Sequence, residues 1–238
     1  MILLFIIGLI VLFYLIGYTG EEHITNDAPT KPVTPKSEKP KAYIPEVHKP
    51  EKVEPEVHKP KKTKAELIGE SFELQIVTEL KNLSKEYKVF HNILFKDGNI
   101  MVQIDFIIVS PYGVFVIEAK AHKGTIIGDI NSQYWVQKLG KNNYKFYNPI
   151  KQNDAHINVL KYHLKNISFI PIVVFNDSTT LKVNCAIKMN ELLDTINKYK
   201  KVVLTDKQVN YVCAIIYRYK TTNPKDIEIH KNKVKQYG

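Results

Sequence analysis

Residues 103–120 read QIDFIIVSPYGVFVIEAK, two apolar runs joined at Ser110-Pro111-Tyr112-Gly113, with Gln103, Asp105, Glu118 and Lys120 set among hydrophobic side chains. Pro fixes φ at the first central position of a tight turn and Gly follows it, so the runs are expected to pair as an antiparallel hairpin. If Ser110 opposes Gly113, then Asp105 opposes Glu118 and Gln103 opposes Lys120, all four on one face because side chains alternate along a strand. Ile104, Phe106, Ile108, Phe115 and Ile117 are then expected to fill the other face. Like charges directly opposite each other destabilise a sheet. Lys120 would offset one charge, and a hard divalent cation with carboxylate oxygens as ligands would offset the rest. The plainer alternative is an edge pair of carboxylates facing solvent, and a loop of odd length would break the register.

At 238 residues and 44% hydrophobic content, the chain has room for one domain of ordinary size plus appendages. Cys185 and Cys213 form neither a C-x-x-C spacing nor a disulfide framework, which fits a reducing compartment. The net charge is +10, from 34 basic and 24 acidic residues, and Arg218 is the sole arginine. From Ala65 onward the charge is +8, with 24 Lys and Arg against 16 Asp and Glu. Such a balance suits a polyanion or an anionic membrane surface, although a coding sequence biased toward Lys, Asn and Ile would also produce it.

Residues 1–18, MILLFIIGLIVLFYLIGY, carry no charge. As a helix at about 1.5 Å per residue they would run roughly 27 Å, a slightly short membrane span. No basic residue precedes them and no small-x-small site follows, so an uncleaved transmembrane anchor is expected in place of a secretory signal. The first lysines come after the span, which favours a cytoplasmic C-terminal side of a single-pass cell-membrane protein. Residues 19–64 are rich in Pro, Lys and Glu, and PEVHKPEKVE is echoed by PEVHKPKKTK. A segment this poor in large apolar residues is expected to be a disordered spacer. His48 and His58 are copies within the repeat.

The folded part is expected from residue 65. Ile68, Phe72, Ile76 and Leu80 recur at helical spacing, with Glu70 and Glu73 bordering the stripe. Helical phase places Glu73 nearer its centre. KGTIIGDI and QYWVQ read as strands with turns or bulges at Gly124 and Gly128, and Trp135 reads as core. Asn148-Pro149 signals a helix start. Ile150, Ile157, Leu160 and Leu164 form that helix's apolar stripe, and Gln152 and His156 lie one turn apart on its flank. FIPIVVF (169–175) reads as a central strand buried on both faces. A short strand VVL and a helix from Asp206, packing Val209, Val212, Cys213 and Ile216, complete an α/β domain.

Taken together, Gly69-Glu70, Gln103-Ile104-Asp105, Tyr112-Gly113, Ile117-Glu118-Ala119-Lys120, Gly124, Trp135, Asn148-Pro149, Gln152 and His156 resemble the NERD (nuclease-related) domain over roughly residues 65–176. Residues 177–238 then form a C-terminal extension. The resemblance implies a restriction-endonuclease-like mixed sheet flanked by helices, as in PD-(D/E)xK nucleases. It further implies that Asp105 and Glu118 hold Mg²⁺, with Mn²⁺ as an alternative. Lys120 would orient or activate water, Glu70 would approach from the first helix, and Gln103, Gln152 and His156 would support substrate. In the related nucleases the Asp commonly follows a Pro, whereas Gln103-Ile104 precede it here. The implied function is hydrolysis of phosphodiester bonds at the membrane, with DNA the expected partner. A silent module that binds nucleic acid or protein is the alternative. Oligomeric state is not readable.

Overall fold

The computed structural model describes residues 62–237. The expected anchor at 1–18 and most of the expected spacer lie outside the described residues, and among those described no helix is long and apolar enough to cross a membrane.

The chain enters through α1 (Lys64–Leu80), whose start is set by a capping box: Thr63 accepts from the Glu66 N–H and the Glu66 carboxylate accepts from the Thr63 N–H. Phe72, Ile76 and Leu80 bury the helix against the sheet. Ile68, expected on the same stripe, is 39% exposed and lines a surface pocket with Ala119, Ala121 and Leu139.

Two mixed sheets follow. The first has the order β1-β2-β3-β7-β9, formed by β1 (Lys88–Asp97), β2 (Ile100–Ser110), β3 (Gly113–Lys120), β7 (Phe169–Phe175) and β9 (Ile187–Lys188). Its β1–β2 and β2–β3 pairs are antiparallel, whereas β3–β7 and β7–β9 are parallel. The second sheet, ordered β6-β5-β4-β8, comprises β4 (Thr125–Ile127), β5 (Tyr134–Leu139), β6 (Asn142–Tyr147) and β8 (Thr180–Lys182). It is built around Trp135, fully buried with its indole N–H donating to the Asp129 carbonyl at 2.9 Å. Gly128 is required there, since a Cβ would come within 2.3 Å of the Trp135 ring.

Helix α2 (Pro149–His163) begins as expected, with the Asn148 carboxamide oxygen accepting from the Ile150 N–H. It crosses the face of the first sheet that carries Ile107, Val109, Val114 and Val116, and α4 (Asp206–Tyr219) covers the same face through Val209, Val212 and Ile216. The opposite face, with Phe106, Ile108, Phe115 and Ile117, is covered by α1 and the short helix α3 (Leu192–Asn197). Both faces of the central strands are therefore buried. The expected strand at VVL does not form. The Val203 and Leu204 N–H groups both donate to the Pro111 carbonyl, so this segment straps the hairpin turn and joins no ladder. A last helix, α5 (Pro224–Tyr237), follows α4.

Asn153 on α2 is fully buried, and its side-chain amide donates to the carbonyls of Val116 and Ile172 at 2.8 and 3.1 Å. It ties the helix to β3 and β7 at one point. Asn153→Ala is expected to lower stability by about 1–3 kcal/mol, the cost of stranding buried acceptors. In a urea titration this would appear as a lower midpoint with an unchanged slope.

Candidate active site

The hairpin register is the expected one, Ser110 opposite Gly113 and Phe106 opposite Ile117, but the β2–β3 ladder stops there. Beyond it the two strands part, each keeping its outer neighbour. β2 continues alongside β1, with Ile104 opposite Ile93 and Gln103 opposite Leu94, while β3 continues alongside β7, with Glu118 opposite Val173 and Lys120 opposite Phe175. The cause lies on β1, where Asn92 takes a positive φ of 50° and the Asn92–Asp105 pairing is missing from an otherwise continuous ladder. An Asn tolerates this conformation at low cost. The kink shifts the side-chain alternation, so Ile104 packs with Ile107 and Val109 and not, as expected, with Phe106 and Ile108.

Asp105 sits in the resulting fork. Its Oδ2 accepts from the Ala119 N–H at 2.8 Å, supplying a partner to a donor just past the end of the ladder. Glu118 is buried, and its Oε1 accepts from Lys120 Nζ at 2.6 Å. Lys120 Nζ also donates to Gln152 Oε1 at 3.0 Å, so α2 fixes the lysine from above. Glu118 Oε2 is buried with no hydrogen-bond partner and lies 3.5 Å from His156 Nδ1, which is likewise unpartnered. Burial first, then Lys120 and His230, push the His156 imidazole down to about 4. At neutral pH that contact therefore joins a neutral ring to a carboxyl and is not an ion pair.

Burial and like charge both act on the acids in and around the fork. Burial, followed by repulsion from Glu118, pushes Asp105 up to about 7, against the partial relief of the Ala119 N–H and Lys120. Glu118 is raised by burial, with Lys120 opposing and Glu73 adding to the rise. Glu73, half-buried on α1, is pushed up to about 7 by burial, then by Asp105 and Glu70. His122, just past β3 and tilted against Phe146 at 4.4 Å between ring centroids, is pushed down to about 4 by burial and then by Lys120.

The structure thus brings together Asp105, Glu118, Lys120, Gln152 and His156. It does not bring Gln103 opposite Lys120: Gln103 follows β2 away from β3, is exposed, and donates to Asn92 Oδ1 at 2.8 Å. Glu70 is about half exposed and engages Lys62 Nζ through both carboxylate oxygens, at 2.5 and 2.7 Å. Glu73 is the α1 carboxyl coupled to Asp105 and Glu118. Neither Asn92 nor Asn153 was singled out by the sequence, although an Asn in the middle of an apolar strand, as in HNILF, is a readable sign of a break.

Two carboxylates and a lysine thus lie on adjacent strands of a mixed sheet, at the point where β2 and β3 part. The chain belongs to the nuclease-related domain (NERD) family, which matches residues 68–176. It is similar to an uncharacterized protein of Bacillus anthracis, pXO1-01, at 31% identity over 176 residues, covering 70% of this chain and 81% of the relative. No solved structure matches at a significant level. Family membership carries a nuclease-like function with nucleic acid as the partner.

Proposed function

We propose that the protein is a Mg²⁺-dependent nuclease, with Mn²⁺ able to substitute, hydrolysing phosphodiester bonds of DNA from a restriction-endonuclease-like domain held at the cytoplasmic side of the membrane by residues 1–18. The observation that carries this reading is Glu118 Oε2, a buried and unpartnered carboxylate oxygen beside a second carboxyl and an ordered lysine. Buried polar atoms are normally satisfied, and an acid cluster with a spare oxygen is the donor set that a hard cation takes.

Among the described residues no three His, Cys, Asp or Glu side chains form a ready cage. Asp105 and Glu118 would hold the ion alone, leaving positions for water and phosphate, which is how Mg²⁺ is commonly bound. Bound there, the ion would supply charge neutralisation at the phosphoryl oxygens and a water of lowered pKa. Lys120, pinned between Glu118 and Gln152, presents a positive group to the attacking water or the phosphate. Glu73 populates both protonation states near neutral pH before a cation arrives, which suits a group that accepts or returns a proton. The domain's charge of +8 supplies the phosphate attraction.

Full-length protein incubated with plasmid and linear DNA is expected to cleave in Mg²⁺ or Mn²⁺ and to be silent in EDTA. Binding measured in Ca²⁺ should weaken steeply as salt rises. Salt-sensitive binding without cleavage in any divalent cation would assign the domain to the non-catalytic class.

A further inference from the structure

A groove of about 650 Å³ runs between the outer edge of β1, the end of α4 and α5, and Glu70 and Glu73 of α1 and Gln103 of β2 also line it. It is a built feature. α5 is clasped over β1 by Asp226, a buried carboxylate that accepts from Lys96 Nζ at 2.7 Å and from the Thr221 hydroxyl at 2.8 Å, while the Thr221 N–H donates to the Leu94 carbonyl at 2.9 Å. Tyr217 lines it, 68% exposed, its ring steadied by a T-shaped contact with Phe90 at 5.2 Å between centroids. Its rim carries Lys220 and Lys231, both exposed and, among the described residues, neither in an ion pair.

We propose that this groove receives one unpaired strand of nucleic acid, stacking a base on Tyr217 and setting its phosphates against Lys220 and Lys231, so that the strand runs past Glu73 on α1. This rests on the nuclease reading and names its substrate as single-stranded or unpaired DNA. An exposed aromatic ring sharing a groove with lysines is the pattern that binds single strands, because every unpaired base offers a π-face that a duplex keeps stacked internally. The size agrees, since a groove of this order matches a small-molecule pocket of roughly 300–1,000 Å³, room for a nucleotide or two and not for a double helix.

Anisotropy of full-length protein in Ca²⁺ compares a fluorescein-labelled oligothymidylate with a hairpin duplex of equal charge. The oligothymidylate is expected to bind tighter. Tyr217→Ala is expected to weaken its binding roughly 5- to 150-fold while Tyr217→Phe retains it, as stacking requires. Lys220→Gln with Lys231→Gln is expected to reduce the slope of log affinity against log salt by about 1.4, two phosphate contacts' worth for a single strand. This double variant stands as the test if Tyr217→Ala melts early. Unchanged oligothymidylate binding in Tyr217→Ala and the lysine variant, or equal losses on the duplex, would overturn the proposal. A chain that binds single strands through Tyr217 but cleaves nothing would remove the nuclease reading and keep the groove. A chain that cleaves, with the groove variants indistinguishable from wild type in binding and rate, would do the reverse.

Discussion

Asp105→Asn is expected to melt at a higher temperature than the wild-type protein in EDTA and to hydrolyse no phosphodiester in Mg²⁺. Burial and Glu118 raise Asp105 from its ordinary 3.8 to about 7, so the folded state holds a proton that the unfolded chain releases. Stability from this group is complete below about pH 4 and is lost as pH rises through about 7. The rise corresponds to on the order of 4 kcal/mol at neutral pH, an upper limit because the residue is partly exposed. Asn carries no charge and keeps an oxygen for the Ala119 N–H, so a gain of about 2 kcal/mol is expected. The advantage over wild type should shrink as pH falls from 7 to 4. Divalent cation reverses the order, since an ion that binds only the folded site raises the wild-type melting temperature with the logarithm of its concentration. Equal shifts in both proteins would place the ion elsewhere, and no shift in either would return Asp105 and Glu118 to an ordinary charged pair.

How much of this was legible divides along physical lines. The hairpin was readable because Pro111 and Gly113 constrain the turn locally and the register follows from loop length alone. Helix α2 was readable from its cap, and β7 from an unbroken apolar run. The fork was not readable, because it depends on the φ of one residue on a different strand, Asn92, and on β1 and β7 holding the outer edges of β2 and β3 where those two part. The failure of VVL to form a strand has the same character. Propensity favoured a ladder, and the Pro111 carbonyl took both N–H groups instead. Helix α5, with few large apolar residues, is held by the Lys96–Asp226 ion pair and Thr221, which no hydrophobic period reveals.

Glu73→Gln is expected to cost far more activity than Glu70→Gln. The family resemblance places the functional carboxylate directly after Gly69, at Glu70, but that side chain points to Lys62 and is about half exposed. Glu73 lies one turn further into α1, half-buried, where it raises Glu118 and is itself raised by burial and then by Asp105, and both glutamates line the groove. A carboxyl with a pKa near 7 is matched to proton transfer at neutral pH, and losing such a group typically removes about 10²–10⁴-fold in rate. Removing Glu70 breaks one exposed ion pair, worth about 0–1 kcal/mol, and leaves Glu73 with one less repelling neighbour. Its pKa should therefore fall slightly, carrying the acid limb of the pH–rate profile to lower pH in Glu70→Gln. In Glu73→Gln that limb should be lost along with most of the rate, while the melting temperature in EDTA rises or holds, because a half-buried acid raised by Asp105 is a source of repulsion. Loss of rate with a lowered melting temperature would mean that Glu73 serves folding. Full activity in Glu73→Gln together with an inactive Glu70→Gln would return the role to Glu70, and would require the first turns of α1 to move toward the fork when substrate binds.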